Sequence, residues 1–242
     1  MPERPTAEPS PASASPVPGP GGRPLVIAID GPSGAGKGTV ARAVAQYLSY
    51  RHIDTGAMYR AVAWAALQAG IDLTDEDAIA ALTCRVRIDV GDGVVRVDGH
   101  DVAQAIRTAE VDAAAAAVAR QPRVREVLIA QQREAGRGRG VVMEGRDIGT
   151  VVFPQADLKI FLNASSEERA RRRAHDPAHA VSHGASVEDV ATALAARDLS
   201  DRTRAASPLI VAADAVEIDT TGLSIAETID RVLALVAGRV DR

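Results

Sequence analysis

Aromatic side chains are nearly missing from this chain, with one Trp, three Tyr and two Phe in 242 residues. Binding a single nucleic-acid strand by base stacking needs several of them. The formal net charge of −4 leaves no basic excess to neutralise a polymer's phosphates, so no nucleic-acid partner is expected. Cysteine occurs once, as Cys84, which excludes an internal disulfide and fits a reducing compartment. Cys84 itself reads as structural filler. No apolar run approaches the ~20 residues of a membrane span. The first residues also lack the charged-then-apolar layout of a secretory leader. No membrane partner is expected, and the expected location is cytoplasmic. Lysine is scarce too: Lys37 and Lys159 are the only two. Positive charge is therefore carried by Arg, whose planar fork suits phosphate and carboxylate.

What is present divides unevenly. Residues 1–22 hold seven of the 13 prolines among Ala, Ser and Gly; such a stretch buries too little surface to offset its ordering entropy and is expected to be a disordered tail. Residues 23–242 read as one folded domain. The apolar run Leu25 to Ile29, ended by Asp30-Gly31, suits a buried parallel strand. A helix is expected from about Lys37 to Leu48, a strand over Arg51 to Asp54, and a helix from about Ala57 to Ala69. Residues 85–98 alternate apolar and charged around Gly91-Asp92-Gly93, a hairpin signal. Helices at about 108–119 and 123–135 follow, the second favoured by Pro122 at its start. Strands at Val141 to Met143 and Leu158 to Leu162, a helical region over 165–206 broken near Asp176-Pro177, a strand at Ala215 to Ile218 and a helix from Ser224 to Val236 complete the pattern. Strands alternating with helices predict an α/β fold with a doubly wound parallel sheet flanked by helices, whose ligands sit beyond the strands' carboxyl ends.

Gly31-Pro32-Ser33-Gly34-Ala35-Gly36-Lys37-Gly38-Thr39 lies between the first strand and the first helix. Glycines let backbone N–H groups turn inward around an anion, the helix N-terminus adds positive potential, and Lys37 reaches nucleotide β- and γ-phosphates. This is a P-loop. Gly38 stands where most P-loops carry the Ser or Thr that holds magnesium, which leaves Mg2+ to phosphates, water and Thr39. A guanine-reading Asn-Lys-x-Asp pattern is absent, and Asp219-Thr220-Thr221-Gly222, although it matches a GTPase element, falls in the wrong chain order.

Three further groups carry candidate chemistry. Asp54-Thr55-Gly56-Ala57-Met58-Tyr59-Arg60 puts Thr55, Tyr59 and Arg60 on one side of a helix start, offering a hydroxyl, a phenol and a guanidinium to a second phosphate or a base. Glu144-Gly145-Arg146-Asp147 follows a buried strand, where charged residues make poor core and good site material. Arg197, Asp201 and Arg204 recur on one helical face, and Arg169, Arg171, Arg172 and Arg173 form a cluster whose charges repel unless anions are near. Arg125, at a helix start after Pro122, is a further candidate for an anion contact. His175, His179 and His183 recur every four residues, but Pro177 interrupts any helix that would align them, so a polar loop is expected there and no metal site.

Taken together, IDGPSGAGKGT, DTGAMYR, Ile106-Arg107-Thr108, PRVRE, GRDIGTVVFP and RDxxDRxR make residues 25–238 resemble the bacterial cytidylate kinases, members of the nucleoside monophosphate kinases. The resemblance implies ATP as donor, CMP and dCMP as acceptors, and a core with an acceptor-binding insert at about 57–135 and a helical lid at about 165–185. It implies that Gly31 to Thr39 cradle ATP and that Thr55, Arg60, Arg125, Arg146, Asp147, Arg197, Asp201 and Arg204 contact CMP. It also implies that Arg172 and Arg173 close over the ATP phosphates. With Lys37, Arg146 and Arg204 these two are the expected catalytic residues. Two positions depart from the family: Ala116 stands where a serine helps read cytosine, and Thr55 where others have Ser. A kinase for UMP or another monophosphate, or a P-loop module without transfer activity, are the alternatives. A monomer is the default.

Overall fold

The structure is a computed structural model that describes residues 22–175 and 186–240. The apolar run after Pro24 forms β1 (Val26–Asp30), which is central in a five-stranded sheet with β2 (Arg51–Asp54), β6 (Val141–Gly145), β7 (Leu158–Asn163) and β8 (Val216–Asp219). The order is β2-β6-β1-β7-β8, and every pairing is parallel. Alternation along β1 splits the core. Ala28 joins Ile53, Met143, Met58 and Val62 on one face, while Ile27 and Ile29 join Val40, Val44, Leu162 and Val232 on the other. Helices cover both faces, as the sequence predicts.

On the second face lie α1 (Lys37–Leu48), ended by Ser49 in the left-handed conformation, and α8 (Ile225–Val240). The first face carries α2 (Thr55–Gln68), α4 (Ala109–Val118) and α5 (Pro122–Ala135). Helix α2 starts two residues earlier than expected because the Asp54 carboxylate accepts the Ala57 N–H at 3.0 Å and caps it. Pro122 does open α5, and the Thr108 hydroxyl caps α4.

Three elements depart from the sequence expectation. An unexpected helix, α3 (Glu76–Arg85), is capped by Asp75, with Ile79, Leu82 and Thr83 buried. It takes residue 85 and leaves β3 (Ile88–Gly91) and β4 (Val94–Val97) for the hairpin, to which β5 (His100–Asp101) adds a short third strand. Cys84 lies on the exposed side of α3, so it fills no core. The turn Ile148–Val152, of π-helical type, follows β6 and was not expected. In the Arg-rich region, α6 (Ser166–Ala174) and α7 (Val187–Thr203) pack through Ala170, Val190 and Leu194. The expected break at Asp176-Pro177, like His179, His183 and the tail through residue 21, lies outside the described residues.

Candidate active site

A cleft of about 750 Å³ opens beyond the carboxyl ends of β1, β2 and β6, where a doubly wound sheet holds its ligands. On one side is the glycine loop. Gly31 has φ +149°, and a β-carbon there would overlap the Leu162 carbonyl of β7, so the loop sits directly on the sheet. Ser33 to Thr39 line the cleft, whereas Gly31 and Pro32 do not. Lys37 is buried and donates from Nζ to the Pro32 carbonyl at 2.7 Å. Burial first, then the like charge of Arg146, pushes its pKa down to about 7.

Helix α6 brings arginines to the same cleft. Arg172 donates to Glu168, to the Thr220 hydroxyl at 2.9 Å and to the Thr220 carbonyl at 2.7 Å, and it stands over Gly36. Arg169 is buried against Asp198 and Ser33, and Arg171 pairs with Glu168. The anions that settle this cluster are thus the protein's own carboxylates. Arg173 reaches away from the loop to Asp112 on α4, at 2.9 Å.

The other side is a net of arginines and aspartates. Arg125 is 1% exposed and donates to Asp147 at 2.5 Å, and its guanidinium lies 5.2 Å from the Tyr59 ring centre. Tyr59 is buried, which pushes its phenol up to about 12. Arg204 lies 3.5 Å from the other Asp147 oxygen and donates to Asp201 at 3.4 Å. It sits just past the end of α7 and so does not share a helical face with Arg197; its Nε is held by the Ser207 carbonyl at 2.7 Å. Arg146 donates to Asp201 at 2.9 Å. Burial alone would raise Asp201, but Arg146, then Arg204 and Arg197, hold it below the usual carboxylate range. Arg197 is itself held down to about 10, by desolvation and then by Arg146. Arg60 pairs with Asp54 at 2.9 Å, and the Thr55 hydroxyl donates to the Glu144 carbonyl at 2.7 Å. Thr55, Tyr59, Arg60, Arg125, Arg146, Asp147, Arg172, Arg173, Arg197, Asp201 and Arg204 all line the one cleft.

The structure adds roles that the sequence did not show. Thr220, buried, ties the turn after β8 to Asn163 and Arg172, so the Asp219-Thr220-Thr221-Gly222 segment belongs to the site without being a GTPase element. Asp30 accepts the Ile148 and Gly149 N–H groups at 2.9 and 2.7 Å, which pins the turn that bears Arg146-Asp147 to the end of β1. Burial pushes Asp30 up to about 6. Asp30 is in register with Gly145, just ahead of that turn. His175 lines the cleft, with its Nδ1 2.7 Å from the Arg171 carbonyl.

The cytidylate kinase family model matches residues 27–238. The chain belongs to that family. It is 52% identical to the cytidylate kinase of Desulfitobacterium hafniense (strain Y51) over 221 residues, which is 90% of this chain and 94% of that protein. It is 49% identical to the cytidylate kinase of Solibacter usitatus (strain Ellin6076), covering 89% of this chain and 94% of that one. An uncharacterised protein from Eubacterium ventriosum ATCC 27560 shares the fold, with a TM-score of 0.51 at 11% identity, over 89% of this chain and 99% of that one.

For a cytidylate kinase family member a magnesium ion is implied, and the residues fit one. Gly38 has no side chain, and Glu144 Oε1 stands 3.1 Å from where its β-carbon would be, so a carboxylate fills the place of the usual hydroxyl. His52 Nε2 lies 3.1 Å from the same oxygen and fixes it. Thr39 is exposed at the cleft's edge.

Proposed function

We propose that this chain transfers the γ-phosphoryl group of ATP to CMP and dCMP, giving CDP or dCDP and ADP. The observation that carries this reading is the proximity of Lys37 and Arg146. Both line the same cleft, Lys37 from the glycine loop and Arg146 from the turn after β6, and the guanidinium's charge adds to burial in lowering the Lys37 pKa. Like charges held this way need polyanions on both sides, and phosphoryl transfer between two phosphates supplies them.

Residues 57–135 serve in this reading as the acceptor-side insert and α6 as the described part of the lid. The loop amides and Lys37 hold the β- and γ-phosphates, with Arg172 above Gly36. Arg60, Arg146 and Arg197 orient the CMP phosphate. Asp147, fixed by Arg125 and Arg204, accepts from the cytosine amino group, and Asp201 from a sugar hydroxyl. A CMP phosphate oxygen then attacks the γ-phosphorus in line, and ADP leaves with the bond's electron pair. The arginines neutralise the spreading charge, and no protein nucleophile takes part. When bound, Mg2+ shields the β- and γ-phosphates; Glu144 and Thr39 are the residues that would hold it. All of these groups come from a single chain, so a monomer suffices.

A panel of nucleoside monophosphates with ATP, read by coupled ADP release, tests the reading. CMP and dCMP are expected to give the highest kcat/KM. Tight ATP binding with no ADP formed from any acceptor would overturn it.

A further inference from the structure

Arg172 and Arg173 are neighbours on α6 yet reach opposite ways. Arg172 stays at the glycine loop, its guanidinium 3.7 Å from where a β-carbon on Gly36 would sit. Arg173 instead crosses to α4 and donates to Asp112 Oδ2 at 2.9 Å, both side chains about one-fifth exposed. Asp112 lies three and four residues before Ala115 and Ala116, which line the cleft, so its carboxylate shares the cleft-facing side of α4. Its second oxygen, Oδ1, is buried with no hydrogen-bond partner among the described residues. One carboxylate on the acceptor wall thus grips a cation of the donor-side helix.

We propose that Asp112 is a positioning residue that sets donor affinity by withholding Arg173 from the triphosphate. This rests on the phosphoryl-transfer reading above. A guanidinium fork engaged with a carboxylate is not available to phosphate oxygens, and both anions compete for the same N–H groups. The triphosphate carries more charge and more acceptor oxygens, so it takes Arg173 over when it binds, and the broken ion pair is subtracted from its affinity. A pair that is only partly buried is weak, which limits the subtraction to a factor of about two to five. Arg173, once released, serves the bound donor and the transition state alike. The contact therefore acts on KM for ATP and leaves kcat unchanged.

The test is a double-mutant cycle on the full chain. Titration calorimetry with a non-hydrolysable ATP analogue measures Kd for the wild type, Asp112→Ala, Arg173→Ala and the double variant. Alanine suits α4, which is already alanine-rich, and a thermal melt checks folding. Asp112→Ala is expected to tighten binding about two- to fivefold and to lower KM for ATP by the same factor at constant kcat. In the Arg173→Ala background, removing Asp112 should change nothing. No tightening in the single variant overturns the proposal. So does equal tightening in both backgrounds, which would assign the effect to the carboxylate's field and not to its grip. Wild-type turnover of CMP, measured alongside, separates failure of this inference from failure of the functional reading.

Discussion

Glu144 Oε1 lies 3.1 Å from the point where a β-carbon on Gly38 would stand, and His52 holds the same oxygen at 3.1 Å from the other side. Both His52 and Glu144 are buried. Gly38 is therefore glycine for the sake of a neighbour's carboxylate and not for a turn, since it lies within α1. Gly38→Ala separates stability from activity. Alanine in place of glycine favours the helix by about 1 kcal/mol, so the melting temperature should hold or rise. The displaced carboxylate should cost turnover about tenfold, close to 1.4 kcal/mol of transition-state stabilisation. Unchanged kcat in a folded Gly38→Ala variant would remove Glu144 from the site's machinery.

Lys37 titrates near 7 in the empty site because burial and Arg146 oppose its charge. Phosphates reverse both effects. At pH 8, where the empty site holds mostly neutral lysine, binding of ATP should take up close to one proton; at pH 6 it should take up almost none. Calorimetry in two buffers of different ionisation heat reads the number directly. The same shift means that the unfolded chain, with its lysine near 10.5, binds more protons between about 7 and 10.5, so this group adds stability as pH rises through that window. Lys37→Met should abolish the uptake and lower turnover by orders of magnitude. An absence of uptake at pH 8 in the wild type contradicts this account of Lys37.

Arg125 and Asp147 form a pair with side chains 1% and 7% exposed. Arg125→Met leaves Asp147 buried with, among the described residues, the more distant Arg204 as its cation, at 3.5 Å. Removing one partner of a buried pair costs about 3–5 kcal/mol. Urea denaturation should show a loss toward the lower end of that range, and a second change, Asp147→Leu, should restore part of it. Equal midpoints for the wild type and Arg125→Met would show that the pair does not hold this wall of the cleft.

Ala116 faces the cleft without the hydroxyl that the family resemblance places there. Ala116→Ser adds a donor and acceptor on a helical wall already in position. One hydrogen bond contributes about 1 kcal/mol, so the ratio of kcat/KM for CMP over UMP should rise about fivefold. A ratio that stays constant would mean that base discrimination is complete without this position.

Residues whose chemistry demands a local pattern were readable from sequence. The glycine loop, the DTGAMYR helix start and the EGRD turn each announced themselves through spacing, and all three converge on the cleft. Strand order was not written in any segment, but the unbroken apolar run of β1 anticipated a strand buried on both faces. Helix α3 was missed because its apolar face is short, although Asp75, Glu76 and Asp77 carried a helix-start signal. The partners of the arginines were beyond sequence reasoning. Arg173 to Asp112 and Arg146 to Asp201 join residues 61 and 55 positions apart, and only tertiary packing decides such pairings. Asp30 escaped for a related reason: its role is to accept two N–H groups 118 and 119 residues away.

Arg169 fastens the first turn of α6 at three points, the Ala164 carbonyl, the Ser33 carbonyl and Asp198 of α7. That makes the base of this helix a fixed pivot beside the glycine loop. Arg173 is four residues further on, about 6 Å along the axis, so tilting the helix by ten degrees displaces its backbone there by only about 1 Å. Beyond that pivot, the reach of each guanidinium is set mainly by its own side-chain torsions.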